Sequence, residues 1–372
     1  MNIYFAEPEP SDIKFFEDAL PEHELYFAEY DSEVEPGCEI LSIYIHSKID
    51  SAFLDRHRQL QFVTTRSAGH DHIDIAECAR RGIKVANVPG GDANTVAEHT
   101  FALILTLARR LFEVREANKL SAFRYEKLRA TDLKGKTLGV IGTGRIGLHV
   151  VHIALAFGME VIAYEPYRPS LMAEIFGVRY VSLEELLRKS DVITLHAPLT
   201  PETYHLLDRE ALAKCRKGVT IVNTARGALI DTDALIEALE SGRVAGAGLD
   251  VLEQESVMRK EADKIIADQI VAALQNQTLS EEEARLRDPN RLKQFERLRR
   301  NQSLLSRRDV FFTPHVAFNS MEAVARINRV TVENIKAFLT GAPINLVQAA
   351  ISPQVPEQRP AKMESRYPGA KP

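Results

Sequence analysis

This 372-residue chain has few of the features that mark a secreted, membrane-bound or nucleic-acid-binding protein. It has three cysteines, Cys38, Cys78 and Cys215, which stand far apart and form no CxxC pair. A disulfide framework is therefore excluded and a reducing compartment is the simplest reading. There is no excess of basic charge: the formal net charge is −5 and the two signs are interleaved along the chain. That excludes the concentrated basic face that a nucleic-acid or anionic-membrane partner would need. The longest apolar stretch, around Phe101 to Ala108, is far shorter than the roughly 20 residues of a membrane span. The opening residues carry neither a basic n-region nor an apolar h-region, so the expected location is cytoplasmic. No internal repeat is present. His70-Asp71-His72 has no further ligands at suitable spacing, so no metal is expected.

What is there is an ordinary globular mixture, 45% hydrophobic and 27% charged, long enough for two domains. Short apolar runs at Ile3–Ala6, Leu41–Ile45, Gln61–Thr65 and Lys84–Asn87 read as strands. A second and clearer series follows at Leu138–Ile141, Val161–Tyr164, Val192–Leu195, Thr220–Val222, Gly246–Leu249 and Val310–Phe312. Helical patterns lie between most of these runs, which is α/β grammar with parallel sheets. Thr95-Val96-Ala97-Glu98 has the form of a capping box with Thr95 as N-cap. Residues 256–308 break the rhythm and read as a helical surface insertion, and the proline-rich residues 347–372 as a disordered tail.

The most informative segment runs from strand Leu138–Ile141 into Gly142-Thr143-Gly144-Arg145-Ile146-Gly147 and a helix. In this Gly-x-Gly-x-x-Gly pattern Gly142 permits the tight turn, Gly144 lets a pyrophosphate approach the backbone, and Gly147 lets helix and strand pack closely. The free N–H groups and dipole of the helix N-terminus favour phosphate there. Glu165 ends the next strand 18 residues after Gly147, where a ribose-binding carboxylate belongs. It would repel a 2′-phosphate, so NAD is the expected cofactor.

Ligands of open α/β sheets bind beyond the carboxyl ends of the strands. There the sequence sets Arg226, Asp250, Glu255 and His315. Arginine suits a carboxylate through its fork, at roughly 1.5–3 kcal/mol per charged hydrogen bond. Histidine suits proton exchange near neutrality, and a carboxylate beside it would fix its ring. Glu255 is the candidate for that carboxylate, with Glu253 as the alternative. His149 and His152, on the helix after the glycine loop, are expected to face solvent.

Several segments together resemble one family, the D-isomer-specific 2-hydroxyacid dehydrogenases. They are Arg66-Ser67-Ala68-Gly69 with Ile73-Asp74, Val96-Ala97-Glu98-His99, the glycine loop, His196-Ala197-Pro198-Leu199-Thr200, Val222 to Gly227, Gly248 to Val251 and Thr313-Pro314-His315. The resemblance implies two Rossmann-like doubly wound α/β domains, the NAD domain inserted into a flavodoxin-like substrate domain. Residues 1–98 and 319–346 would form the substrate domain, and 99–318 the NAD domain. It implies Arg226, Glu255 and His315 as the catalytic trio, with Ala68 and Gly69 amides holding the substrate carboxylate beside Arg226. Arg145, Ile146, Pro198, Thr203, Thr224 and Asp250 would contact NAD. It also implies a homodimer built on the helix after Thr95, and hydride transfer between NAD and a small 2-oxo or 2-hydroxy acid. The alternative is an NAD-binding corepressor-like interaction protein on the same fold. Two departures bear on substrate size. Gly91 stands where D-lactate dehydrogenases usually carry tyrosine, implying a roomier pocket, whereas Phe318 resembles the D-lactate branch.

Overall fold

The computed structural model describes residues 1–119, 129–166, 175–253, 255 and 300–348. They form two parallel sheets. The first comprises β1 (Asn2–Ala6), β2 (Glu24–Ala28), β3 (Ile40–Ile43), β4 (Phe62–Thr65) and β5 (Lys84–Ala86). Their order is β2-β1-β3-β4-β5, the flavodoxin-like arrangement. Side chains alternate along each strand, and both faces are covered, as parallel sheets require. Ile3, Phe5, Ile40 and Phe62 face a core shared with Phe16, Val332 and Ile335. Tyr4, Leu41, Ile43 and Val63 face the opposite core, with Phe53, Leu54 and Cys78. The helix Met321–Leu339 thus returns to the first sheet, and Val347 N–H donates to Val85 O at 2.8 Å beyond it.

β2, which the sequence reading did not anticipate, is an edge strand with an exposed–intermediate pattern along most of its length. An edge strand of that kind offers no continuous apolar run to read.

The second sheet holds β6 (Thr137–Ile141), β7 (Glu160–Tyr164), β8 (Arg179–Tyr180), β9 (Val192–Leu195), β10 (Val219–Asn223), β11 (Val244–Leu249) and β12 (Val310–Phe312). Its order is β12-β11-β10-β9-β6-β7-β8, a six-stranded nucleotide-binding sheet extended by β12. The two-residue β8 is too short to leave a sequence signal. Apolar cores lie on both faces, and the helix Ala93–Ala108 contributes Ala97, Phe101, Leu103 and Ile104 to one of them. The order reverses between β6 and β9, and that switch point is where doubly wound sheets bind ligands.

Two expectations are corrected. The helix containing Thr95 starts at Ala93 with Asp92 at the N-cap and no side-chain capping bond. Thr95 lies inside the first turn, and Glu98 accepts from Asn94 Nδ2 at 2.6 Å. The surface insertion 256–308 is also too long at its end. Residues 256–299 lie outside the described residues, but Leu304 is 1% exposed within the core beside β11, so the segment from 300 onward belongs to the domain body. Of the tail, 349–372 lie outside the described residues. Among the described residues no helix is long and apolar enough to cross a membrane.

Candidate active site

β6 delivers the chain into the glycine loop with a geometry only glycine tolerates at two positions. Gly142 has φ +92°, and a Cβ there would lie 2.8 Å from the Ala197 amide nitrogen and the His196 carbonyl. At Gly147 a Cβ would lie 2.1 Å from Gly142 O, so the helix Arg145–Ala156 could not pack as it does. Gly144 differs: nothing lies within 4 Å of its would-be Cβ. That open face at a helix N-terminus fits a dinucleotide pyrophosphate. Glu165 follows β7, and its carboxylate accepts from Thr143 N–H at 3.2 Å, which sets it against the loop. His196, after β9, is half-buried, loss of solvation around its ring pushes its pKa down to about 3, and its Nδ1 has no partner among the described residues. The residues at this switch point fit NAD. His149 and His152 are exposed, as expected.

The other residues expected to contact NAD make the following contacts within the protein. Pro198 O accepts from Thr203 Oγ1 at 2.7 Å, so these two close one loop. Thr224 is buried and pairs with Thr100 at 2.9 Å. Ile146 is half-buried at the start of the helix, while the Arg145 side chain reaches over to Pro89 O at 3.5 Å. Asp250 is fully buried. Its carboxylate accepts from Thr313 Oγ1 at 2.5 Å and from the amides of Val316 and Ala317 at 2.9 Å each. It therefore fixes the loop that carries His315.

His315 sits in that loop at φ +53°, and its amide donates to Asp250 O at 2.7 Å. Left-handed backbone is uncommon for a residue with a side chain, and the surrounding bonds hold it there. Its Nδ1 is hydrogen-bonded to Glu255 Oε1. Glu255 is thus the glutamate beside this imidazole, whereas Glu253 is engaged with His205 Nε2 at 3.1 Å and Tyr204 at 3.3 Å. The imidazole keeps Nε2 for another partner, with its side chain 15% exposed.

Arg226 follows β10 and crosses to the first sheet, where Nε donates to Asp71 Oδ1 at 2.8 Å. A Cβ on Gly69 would stand 1.6 Å from Arg226 Nη2, so the glycine is what lets the guanidinium approach. Among the described residues neither the Ala68 nor the Gly69 amide has an acceptor. Two free N–H groups beside an arginine make a receptor for a carboxylate. Asp92 links the two halves of the site electrostatically: burial raises its pKa, while the charges of Arg226, Arg326 and His315 oppose the rise.

A cleft of about 570 Å³ adjoins His315 and is lined by Tyr44, His46, Phe318, Glu7, Glu9 and Asp12, among others. The Tyr44 and Phe318 rings are 5.3 Å apart. Glu7, Tyr44 and His46 escaped the sequence reading, although each lies just past the carboxyl end of β1 or β3; the strand-end rule applied to the first sheet would have found them. Gly91 does not widen this cleft. Its would-be Cβ points at Val88 Cγ1, 2.9 Å away, and at Ile327 Cγ1, 3.3 Å away, so close packing explains the missing side chain.

Residues 101–317 match the family model of the D-isomer specific 2-hydroxyacid dehydrogenase, NAD binding domain. The chain is 36% identical over 334 residues to a 2-hydroxyacid dehydrogenase homolog of Haemophilus influenzae, covering 89% of each. It is 35% identical over 303 residues to a D-lactate dehydrogenase of Escherichia coli, covering 80% of this chain and 83% of the other. The crystal structure of an Aquifex aeolicus D-lactate dehydrogenase complexed with NAD and lactic acid matches with a TM-score of 0.77 at 34% identity, over 92% of this chain and 96% of that one. The chain belongs to the D-isomer specific 2-hydroxyacid dehydrogenases and is an NAD-dependent oxidoreductase of the 2-hydroxy acid/2-oxo acid couple.

Proposed function

We propose that this enzyme interconverts a small monocarboxylic 2-oxo acid of the pyruvate type and its D-2-hydroxy acid, with Arg226, Glu255 and His315 as the catalytic trio. When bound, NAD would supply the hydride acceptor or donor for the substrate C2. The Arg226 fork, with the Ala68 and Gly69 amides, holds the substrate carboxylate and polarises the ketone. His315 Nε2 gives a proton to the carbonyl oxygen in reduction and removes it in oxidation. Glu255 holds the other ring nitrogen, fixing the tautomer and balancing the imidazolium. Gly142, Gly144, Arg145, Ile146 and Gly147 would hold the dinucleotide, with Glu165 for the ribose and Pro198, Thr203, Thr224 and Asp250 as the further residues of the NAD site.

The observation that carries this reading is the His315–Glu255 pair, brought together from 60 residues apart on the same rim as Arg226. Tyr44 and Phe318 favour an apolar substituent on the substrate. Glu7, Glu9 and Asp12 disfavour a second negative charge. The relatives reported above are dehydrogenases, and the interaction-protein alternative has no comparable support. The domains are taken as 1–98 with 319–346, and 99–318. A homodimer in the cytoplasm completes the proposal; the exposed Leu111, Phe112 and Phe157 near the helix Ala93–Ala108 offer the apolar face, and the buried free cysteines suit a reducing compartment.

The test is NADH absorbance with purified protein against glyoxylate, pyruvate, hydroxypyruvate, phenylpyruvate and oxaloacetate. Pyruvate should lead and oxaloacetate should trail. No turnover on any of them, with NADH still bound, would refute the proposal.

A further inference from the structure

We infer that Asp71 is a positioning residue for the reaction: it holds the Arg226 guanidinium so that one edge alone is presented to the substrate carboxylate. This rests on the role given to Arg226 above. A guanidinium has five N–H donors in a plane. Nε and Nη2 of Arg226 both reach Asp71 Oδ1 at 2.8 Å, which occupies the side edge of the fork. Nη1 donates to Ala225 O at 2.8 Å, which accounts for the hydrogen pointing back along the arginine's own chain. The two hydrogens left, one on Nη1 and one on Nη2, form the end edge, and no partner for them is present among the described residues. That pair matches the spacing of two carboxylate oxygens.

Three features make the arrangement a device for orientation. Asp71 and Arg226 are 155 residues apart, one after β4 and the other after β10, so the bond spans the two sheets. Gly69, on the same loop as Asp71, leaves room for Nη2. Loss of solvation beside the guanidinium works against ionisation of Asp71, but the Arg226 charge and hydrogen bonds outweigh it and hold its pKa below the ordinary carboxylate value. A long, flexible arginine free to rotate would have to be ordered by each incoming substrate.

The test compares Asp71→Ala, Asp71→Asn, Arg226→Ala and the Asp71→Ala/Arg226→Ala double variant. The readouts are pyruvate kinetics, NADH affinity by fluorescence, and the binding of oxamate (a carboxylate analogue of pyruvate) to the NADH-loaded enzyme. Asp71→Ala should raise the pyruvate KM and weaken oxamate by about 10- to 100-fold, with NADH affinity within about twofold of wild type. Asp71→Asn, which keeps one acceptor oxygen, should recover most of the loss. In the Arg226→Ala background the Asp71 substitution should cost nothing further. Unchanged pyruvate and oxamate parameters in Asp71→Ala, beside an inactive Arg226→Ala, would overturn the inference and leave the catalytic trio standing. An undiminished extra loss in the double variant would also overturn it, because Asp71 would then act through the fold. Near-normal turnover by Arg226→Ala would instead sink the role of Arg226 itself.

Discussion

Replacing Asp250 by asparagine changes one buried atom and should cost both stability and turnover. The wild-type carboxylate is fully enclosed and accepts three hydrogen bonds, from Thr313 Oγ1 and from the amides of Val316 and Ala317. All three donors belong to the loop that carries His315. In asparagine one oxygen becomes an NH₂ group, so at least one backbone N–H faces a donor and is left buried without an acceptor. A hydrogen bond to a charged group is worth about 1.5–3 kcal/mol, and a stranded buried donor costs about 1–3 kcal/mol. Because these contributions overlap, the expected loss is about 2–4 kcal/mol rather than their sum. Urea unfolding followed by far-ultraviolet circular dichroism reads the stability, and kcat on the best substrate of the panel reads the loop. The left-handed backbone of His315 is sustained by this network, so kcat should fall even where the protein is fully folded. A variant within about 0.5 kcal/mol of wild type, with normal kcat, would show that the carboxylate does not hold the loop.

Other substitutions separate chemistry from folding. His315→Ala should lower turnover by about 10²–10⁴-fold with NADH affinity and unfolding midpoint unchanged, and normal turnover would remove it from the mechanism. Glu165→Ala should shift the NADH/NADPH preference toward NADPH, since the carboxylate beside the loop no longer opposes a 2′-phosphate; an unmoved ratio would discard its ribose role. Acid should destabilise the fold between about pH 6.5 and pH 4 through His72, whose pKa burial pushes down to about 4. The unfolded state then binds the extra proton, so the stabilisation is complete above the unfolded value and is lost as pH falls, by about 3 kcal/mol. His196, pushed down to about 3, adds to the loss in the same direction. A midpoint flat across that range would mean that neither imidazole is held neutral.

The sequence by itself determined whatever depends on near neighbours along the chain. The glycine loop was legible because a turn at φ +92°, a helix N-terminus and a close helix–strand contact each demand glycine at a fixed spacing. The buried strands of the second sheet were legible because a parallel strand covered on both faces needs a continuous apolar run. The polar residues following those runs gave Arg226 and His315, since strand ends are where such sheets bind ligands. What falls between elements was not legible. Two glutamates two residues apart, Glu253 and Glu255, are equivalent as sequence. They part company only when one meets His205 and the other His315, 60 residues further along. Asp71 reads as part of a turn until folding sets it against Arg226 across 155 residues. Gly91 reads as an opened pocket until Val88 and Ile327 are seen to fill the space where a side chain would go. These outcomes depend on which distant surfaces converge, and convergence is a property of packing and topology that local propensity does not encode.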